Sequence, residues 1–104
     1  MCSAPDFYRD VRYEHEARCA IDDAFERWPR AEDQAELLEW IIVRDPREGK
    51  PLTESGITRA LTLQGAKSIG APTVTFVYVI EAVRIVIKSA RFEDAKPQSK
   101  ATIN

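Results

Sequence analysis

The stretch from Thr73 to Ser89, TVTFVYVIEAVRIVIKS, constrains the fold more than any other. Val, Ile, Thr, Phe and Tyr dominate it, and such residues suit a pleated, half-buried surface. Their density and the charged break at Glu81-Ala82 favour two strands of a hairpin over one buried helix. At a period of two, Val74, Phe76, Tyr78 and Ile80 share one face of the first strand. Val83, Ile85 and Ile87 share a face of the second, and Arg84 and Lys88 point the other way. Two strands alone are marginal in water, so the rest of the chain must extend and cover them.

Two helices are available for that cover. Ala17, Ala20, Ile21, Ala24, Phe25 and Trp28 recur at steps of three and four, the pattern of one buried helical stripe. Pro29 stops this helix. Glu14–Arg18 and Asp23–Arg27 stand four apart in the favourable order, each pair contributing about 0.2–0.5 kcal/mol. Cys19 lies off the stripe. A second helix is expected from Ala31 to Arg44, on a stripe of Ala31, Ala35, Leu38 and Ile42 widened by Leu37, Trp40 and Ile41. Acidic Glu32, Asp33 and Glu36 suit the positive end of its dipole, and Asp45-Pro46 ends it. The short link makes the two helices an antiparallel hairpin. Trp28, Trp40 and Tyr78 read as core residues.

The remaining segments fill in the order. Phe7 to Tyr13 alternates as a short strand, with an early start of the following helix as the competing reading. DPREGKPLTESG, residues 45–56, has two prolines and two glycines and reads as a loop. Ile57 to Gln64 alternates as another strand, and GAKSIGAP, residues 65–72, turns the chain into the hairpin. Arg91 to Lys96 reads as a short tail, and the ends, about 1–6 and 97–104, as loose. The expectation is a single α+β domain of 104 residues, order β-α-α-β-β-β. It would have an antiparallel sheet of about four strands with the helix hairpin across one face.

Charge is divided along the chain. Residues 1–56 hold 8 basic and 14 acidic side chains, a balance of −6, and residues 57–104 hold 7 and 3, a balance of +4. That division suggests one polyanion-facing side, or only solvated helix faces. The two cysteines, Cys2 and Cys19, read as free thiols of a reducing compartment. No metal is expected, because the chain's one histidine, His15, cannot complete a zinc site. The longest apolar run is too short to span a bilayer, and no signal peptide is visible, so a cytoplasmic protein with no membrane contact is expected. Lys67-Ser68 lacks the upstream glycine of a phosphate loop, and no cofactor is expected.

LLEWIIVRDPREG, the strand ALTLQ, and the paired runs VTFVYVI and VRIVIKSARFED together resemble the RelE/ParE superfamily of toxins from bacterial type II toxin–antitoxin modules. The likeness covers residues from about 7 to 95 and is one of order and length. It implies a cognate antitoxin protein as partner and one of two targets. RelE-like members cut mRNA in the ribosome without metal; ParE-like members bind DNA gyrase. The first chemistry needs cations, because attack of a 2′-hydroxyl on phosphate builds negative charge. By position the resemblance assigns Arg91, Lys88 and Arg84 as catalytic and Lys67 and Arg59 as RNA-binding. Arg59 shares a face with Ile57, Leu61 and Leu63 and would equally suit pairing with Glu36 or Glu39. The chain departs from the ribonucleases of the superfamily at Pro72-Thr73, where many carry Arg, and after Phe92, where there is no Tyr. Three readings stay open: a nuclease toxin, a toxin that acts by binding a protein, and a non-toxic interaction module. A homodimer is compatible with each.

Overall fold

The structure, a computed structural model, describes residues 10–95. Its elements run β1 (Asp10–Tyr13), α1 (His15–Arg27), α2 (Ala31–Arg44), β2 (Lys50–Pro51), β3 (Thr58–Leu63), β4 (Thr73–Ile80) and β5 (Arg84–Glu93). Short 3₁₀ turns at Pro46–Glu48 and Lys67–Ile69 lie in the connections before β2 and β4. The fold is α+β. Its sheet differs from the expected one. It has five strands in the order β1-β5-β4-β3-β2, and it is mixed, because β1 runs parallel to β5. A parallel neighbour needs a long crossover, and the chain from β1 to β5 supplies one through both helices and the meander. Residues 7–9 of the expected first strand, and both expected loose ends, lie outside the described residues.

The core sits between the sheet and the helices. Val74, Phe76 and Tyr78 of β4, and Ile85 and Ile87 of β5, are fully buried against Ala17 and Ile21 of α1 and Leu38 and Ile42 of α2. Alternation on the strands and the stripes on the helices therefore meet as anticipated. The widened part of the α2 stripe does not. Leu37 and Trp40 are exposed, and the Arg44 guanidinium lies 4.5 Å above the Trp40 ring. Phe25 is also largely exposed. A stripe wider than one sheet-facing row has nothing left to pack on in a two-layer domain. Trp28 stacks on Phe92, with 6.3 Å between ring centroids, and its indole N–H donates to Asp94 at 2.9 Å.

The residues of the expected i,i+4 pairs take other partners. Glu14 bonds Lys88, Arg18 lies 4.8 Å over the Tyr13 ring, and Arg27 lies 4.4 Å over Trp28. The segment expected as plain loop, 45–56, is pinned. Tyr78 donates its hydroxyl proton to the Pro46 carbonyl and accepts the Gly49 N–H at 3.1 Å. Arg59 donates to the carbonyls of Gly56 (2.7 Å), Gly49 (2.8 Å) and Arg47 (3.1 Å). Gly49 must be glycine, since a Cβ there would sit 2.4 Å from the Tyr78 hydroxyl. Thus the buried end of one strand and a guanidinium on its neighbour fix the path of the loop into β2.

Candidate functional site

Both helices lie on one side of the sheet, so its other face is open. The register states what that face carries. On β3 it shows Thr58, Ala60 and Thr62, and on β4 Thr73, Thr75, Val77 and Val79, the residues between the buried ones. The Thr62 and Thr75 hydroxyls meet at 2.7 Å.

β5 reaches this face through an irregularity. Tyr78 pairs with Ile87 but Val77 pairs with Ser89, so Lys88 is an extra residue in the ladder. Such a bulge inverts the inside–outside sense of every residue beyond it. Before it, Arg84 and Val86 face out and Ile85 and Ile87 face in. Beyond it, Arg91 faces out opposite Thr75, and Phe92 faces in onto Trp28. A strict period of two would have put Arg91 in the core with Ile85 and Ile87. The bulge is what places Arg84, Lys88 and Arg91 on one surface.

They do not converge on one point. Seven residues of strand separate Arg84 from Arg91, about 20 Å, so no single phosphate touches both. Lys88 and Arg91 are about 10 Å apart along the strand. The other two candidates are elsewhere. Arg59 faces the helix side, away from the other candidates, and spends its guanidinium on the three carbonyls described above in place of the expected Glu36 or Glu39. Lys67 is exposed in the β3–β4 connection, which curls toward the helices: the Gly70 carbonyl accepts from the Arg30 N–H, and Gly70 abuts Pro29.

Sequence reading missed Arg12. β1 pairs in register with β5, Asp10 with Arg84 and Arg12 with Val86, so Asp10 and Arg12 share the open face. Arg12, Arg84 and Lys88, together with Glu14 and Glu81, surround a shallow basin floored by Val79 and Val86. The same strand brings the carboxylates. Lys88 Nζ lies 3.0 Å from Glu14 Oε2, and Arg84 Nε lies 3.8 Å from Glu81 Oε1. Three cations thus stand among three carboxylates, Asp10, Glu14 and Glu81, and the centre of the open face is close to neutral. Only the pairing of the first strand with the last reveals this, and the acidic first half and basic second half of the sequence conceal it.

Chemically, the basin offers alternating charge over an apolar floor. Among the described residues the open face carries neither His nor Tyr. Tyr13 and Tyr78 both face the helices, where burial pushes their pKa up, and the Glu39 carboxylate that accepts the Tyr13 hydroxyl pushes that of Tyr13 further. Both are therefore neutral hydrogen-bond donors at ordinary pH. No group of three or more His, Cys, Asp or Glu is placed to hold a metal ion among the described residues. No described helix is long and apolar enough to cross a membrane. Compared with known proteins, the chain matches no family model and no curated sequence.

Proposed function

We propose that this protein is the toxin component of a RelE/ParE-like type II toxin–antitoxin pair, and that it acts by binding a protein target rather than by cutting mRNA. The α+β fold, a two-helix hairpin laid on one face of a mixed sheet in the order β-α-α-β-β-β-β, supports the resemblance at the level of fold class. The observation that carries the choice of mechanism is the pairing of Lys88 with Glu14 and of Arg84 with Glu81. Polyanion binding gains from cations that are free to release counterions. Here two of the three assigned cations already hold carboxylates. A surface of alternating charge with an apolar floor suits a protein partner, where such patterns set register and specificity. DNA gyrase is the protein target that the resemblance implies, and the cytoplasm is where both it and a cognate antitoxin would be met.

Induced expression in a bacterial host tests the reading. Growth should slow, transcripts should remain uncut by primer extension, and gyrase supercoiling by purified enzyme should fall when the protein is added. If transcripts are cut, and cutting is lost in the Lys88→Ala, Arg91→Ala double variant, the nuclease reading replaces this one. If growth is unaffected, both toxin readings fall and an interaction module remains.

A further inference from the structure

Opposite the row that meets the sheet, α2 turns a second pattern to solvent. Asp33, Leu37, Trp40 and Arg44 follow at steps of four, three and four, which is one helical face, and all four are exposed. Leu37 keeps 45% and Trp40 55% of its surface in water. Apolar residues exposed singly are ordinary, but a leucine and a tryptophan one turn apart on one ridge make a continuous patch. The two ends of the ridge carry opposite charge. Asp33 is held by Arg30 at 3.0 Å. Arg44 has no carboxylate partner among the described residues and lies over the Trp40 ring at 4.5 Å.

These four residues match themselves when the helix is reversed. Asp33 and Arg44 have the same midpoint as Leu37 and Trp40, between Leu38 and Glu39. We propose that this face of α2 is a self-association surface, and that its occupant is a second copy of this chain with the two α2 helices antiparallel about a two-fold axis at that midpoint. Each Asp33 then meets the copy's Arg44, and each Leu37 meets the copy's Trp40. A two-fold contact must be complementary to itself, and here both the charged and the apolar pairs meet that demand. A parallel arrangement would set Asp33 against Asp33 and Arg44 against Arg44, so charge selects the antiparallel one. The helix dipoles select it too, since the positive end of each lies beside the negative end of the other. Trp and Arg are the residue types that most often carry the energy of an interface. One helix face is a small interface, so the association is weak and reversible. The open sheet face lies on the other side of the molecule and stays free, so the pairing holds whatever target that face binds.

Sedimentation equilibrium on the full chain, kept reduced so that the cysteines cannot cross-link and taken up to about 1 mM protein, tests the pairing. The expected result is a concentration-dependent monomer–dimer equilibrium. Trp40→Ala should weaken it at least about tenfold. Asp33→Arg and Arg44→Glu should each weaken it alone, because each sets like charges together at both ends of the contact. An equimolar mixture of those two variants should associate again, because every end then joins opposite charges. All three positions are exposed, and circular dichroism should confirm that the variants keep their fold. A chain that stays monomeric throughout, a dimer that Trp40→Ala leaves intact, or a mixture that associates no better than its two components each overturns the proposal.

Discussion

Tyr78 shows how much one atom can hold. Its hydroxyl joins Pro46 and Gly49 to the middle of the sheet, and Arg59 ties the same segment from the next strand. Removing the hydroxyl leaves a buried Gly49 N–H without its acceptor, which costs about 1–3 kcal/mol. Tyr78→Phe should therefore lower the unfolding free energy read from urea titration by that amount without changing the secondary structure by circular dichroism. Arg59→Gln should behave alike, with partner binding retained, because its guanidinium serves the loop and not the open face. The two raised tyrosine pKa values also set an alkaline limit. A group whose folded pKa exceeds its unfolded value near 10 stabilises the fold below that value and loses the contribution as pH rises above it. Stability should thus hold up to about pH 10 and fall beyond it, less steeply in the Tyr13→Phe and Tyr78→Phe variants. The sequence marked Tyr78 as inward-facing but could not show its bonds, since they reach across 29 and 32 residues. Arg59 was harder still. An arginine on an apolar face demands a partner, and the obvious carboxylates were the wrong ones because backbone carbonyls had come closer.

Among the elements, the helices were the most legible, since proline marks their ends and the spacing of three and four needs no partner to be recognised. Their bounds agree with the pattern, and Leu38 and Ile42 are buried where the stripe puts them. Leu38→Ala should cost about 2–5 kcal/mol in chemical denaturation, the range for emptying a packed leucine site. β5 was legible only up to Lys88. No local residue signals the extra position, which is set by how two strands fit, and yet it decides that Arg91 faces out and Phe92 faces in. β1 was read as a strand but not as a parallel one, because the sequence of a four-residue edge strand does not state its neighbour. The Lys88–Glu14 pair that spans these elements is half-exposed, and such pairs contribute about 0–1 kcal/mol. Lys88→Ala should accordingly leave the melting temperature nearly unchanged, so under the function proposed above a change in growth inhibition in that variant would report on contact with a target rather than on folding.

For the molecule as a whole, the pairing of β1 with β5 has a consequence in time as well as in charge. Of the described strands, β1 is made before the rest and is held by β5, which is made after them. While the ribosome is still adding residues before Arg84, β1 has no neighbour, and the hairpin of α1 and α2 has only part of the layer that shields its greasy side. Closure between segments so distant in the chain is slow, because the loop must be ordered before any contact rewards it. Nascent chains stalled before β5 emerges should be cut readily by protease and held by a chaperone, and those stalled well after it should resist. A sheet built this way gains its edge only once β5 has emerged, which leaves an interval in which the helix hairpin stands open to whatever meets the nascent chain first.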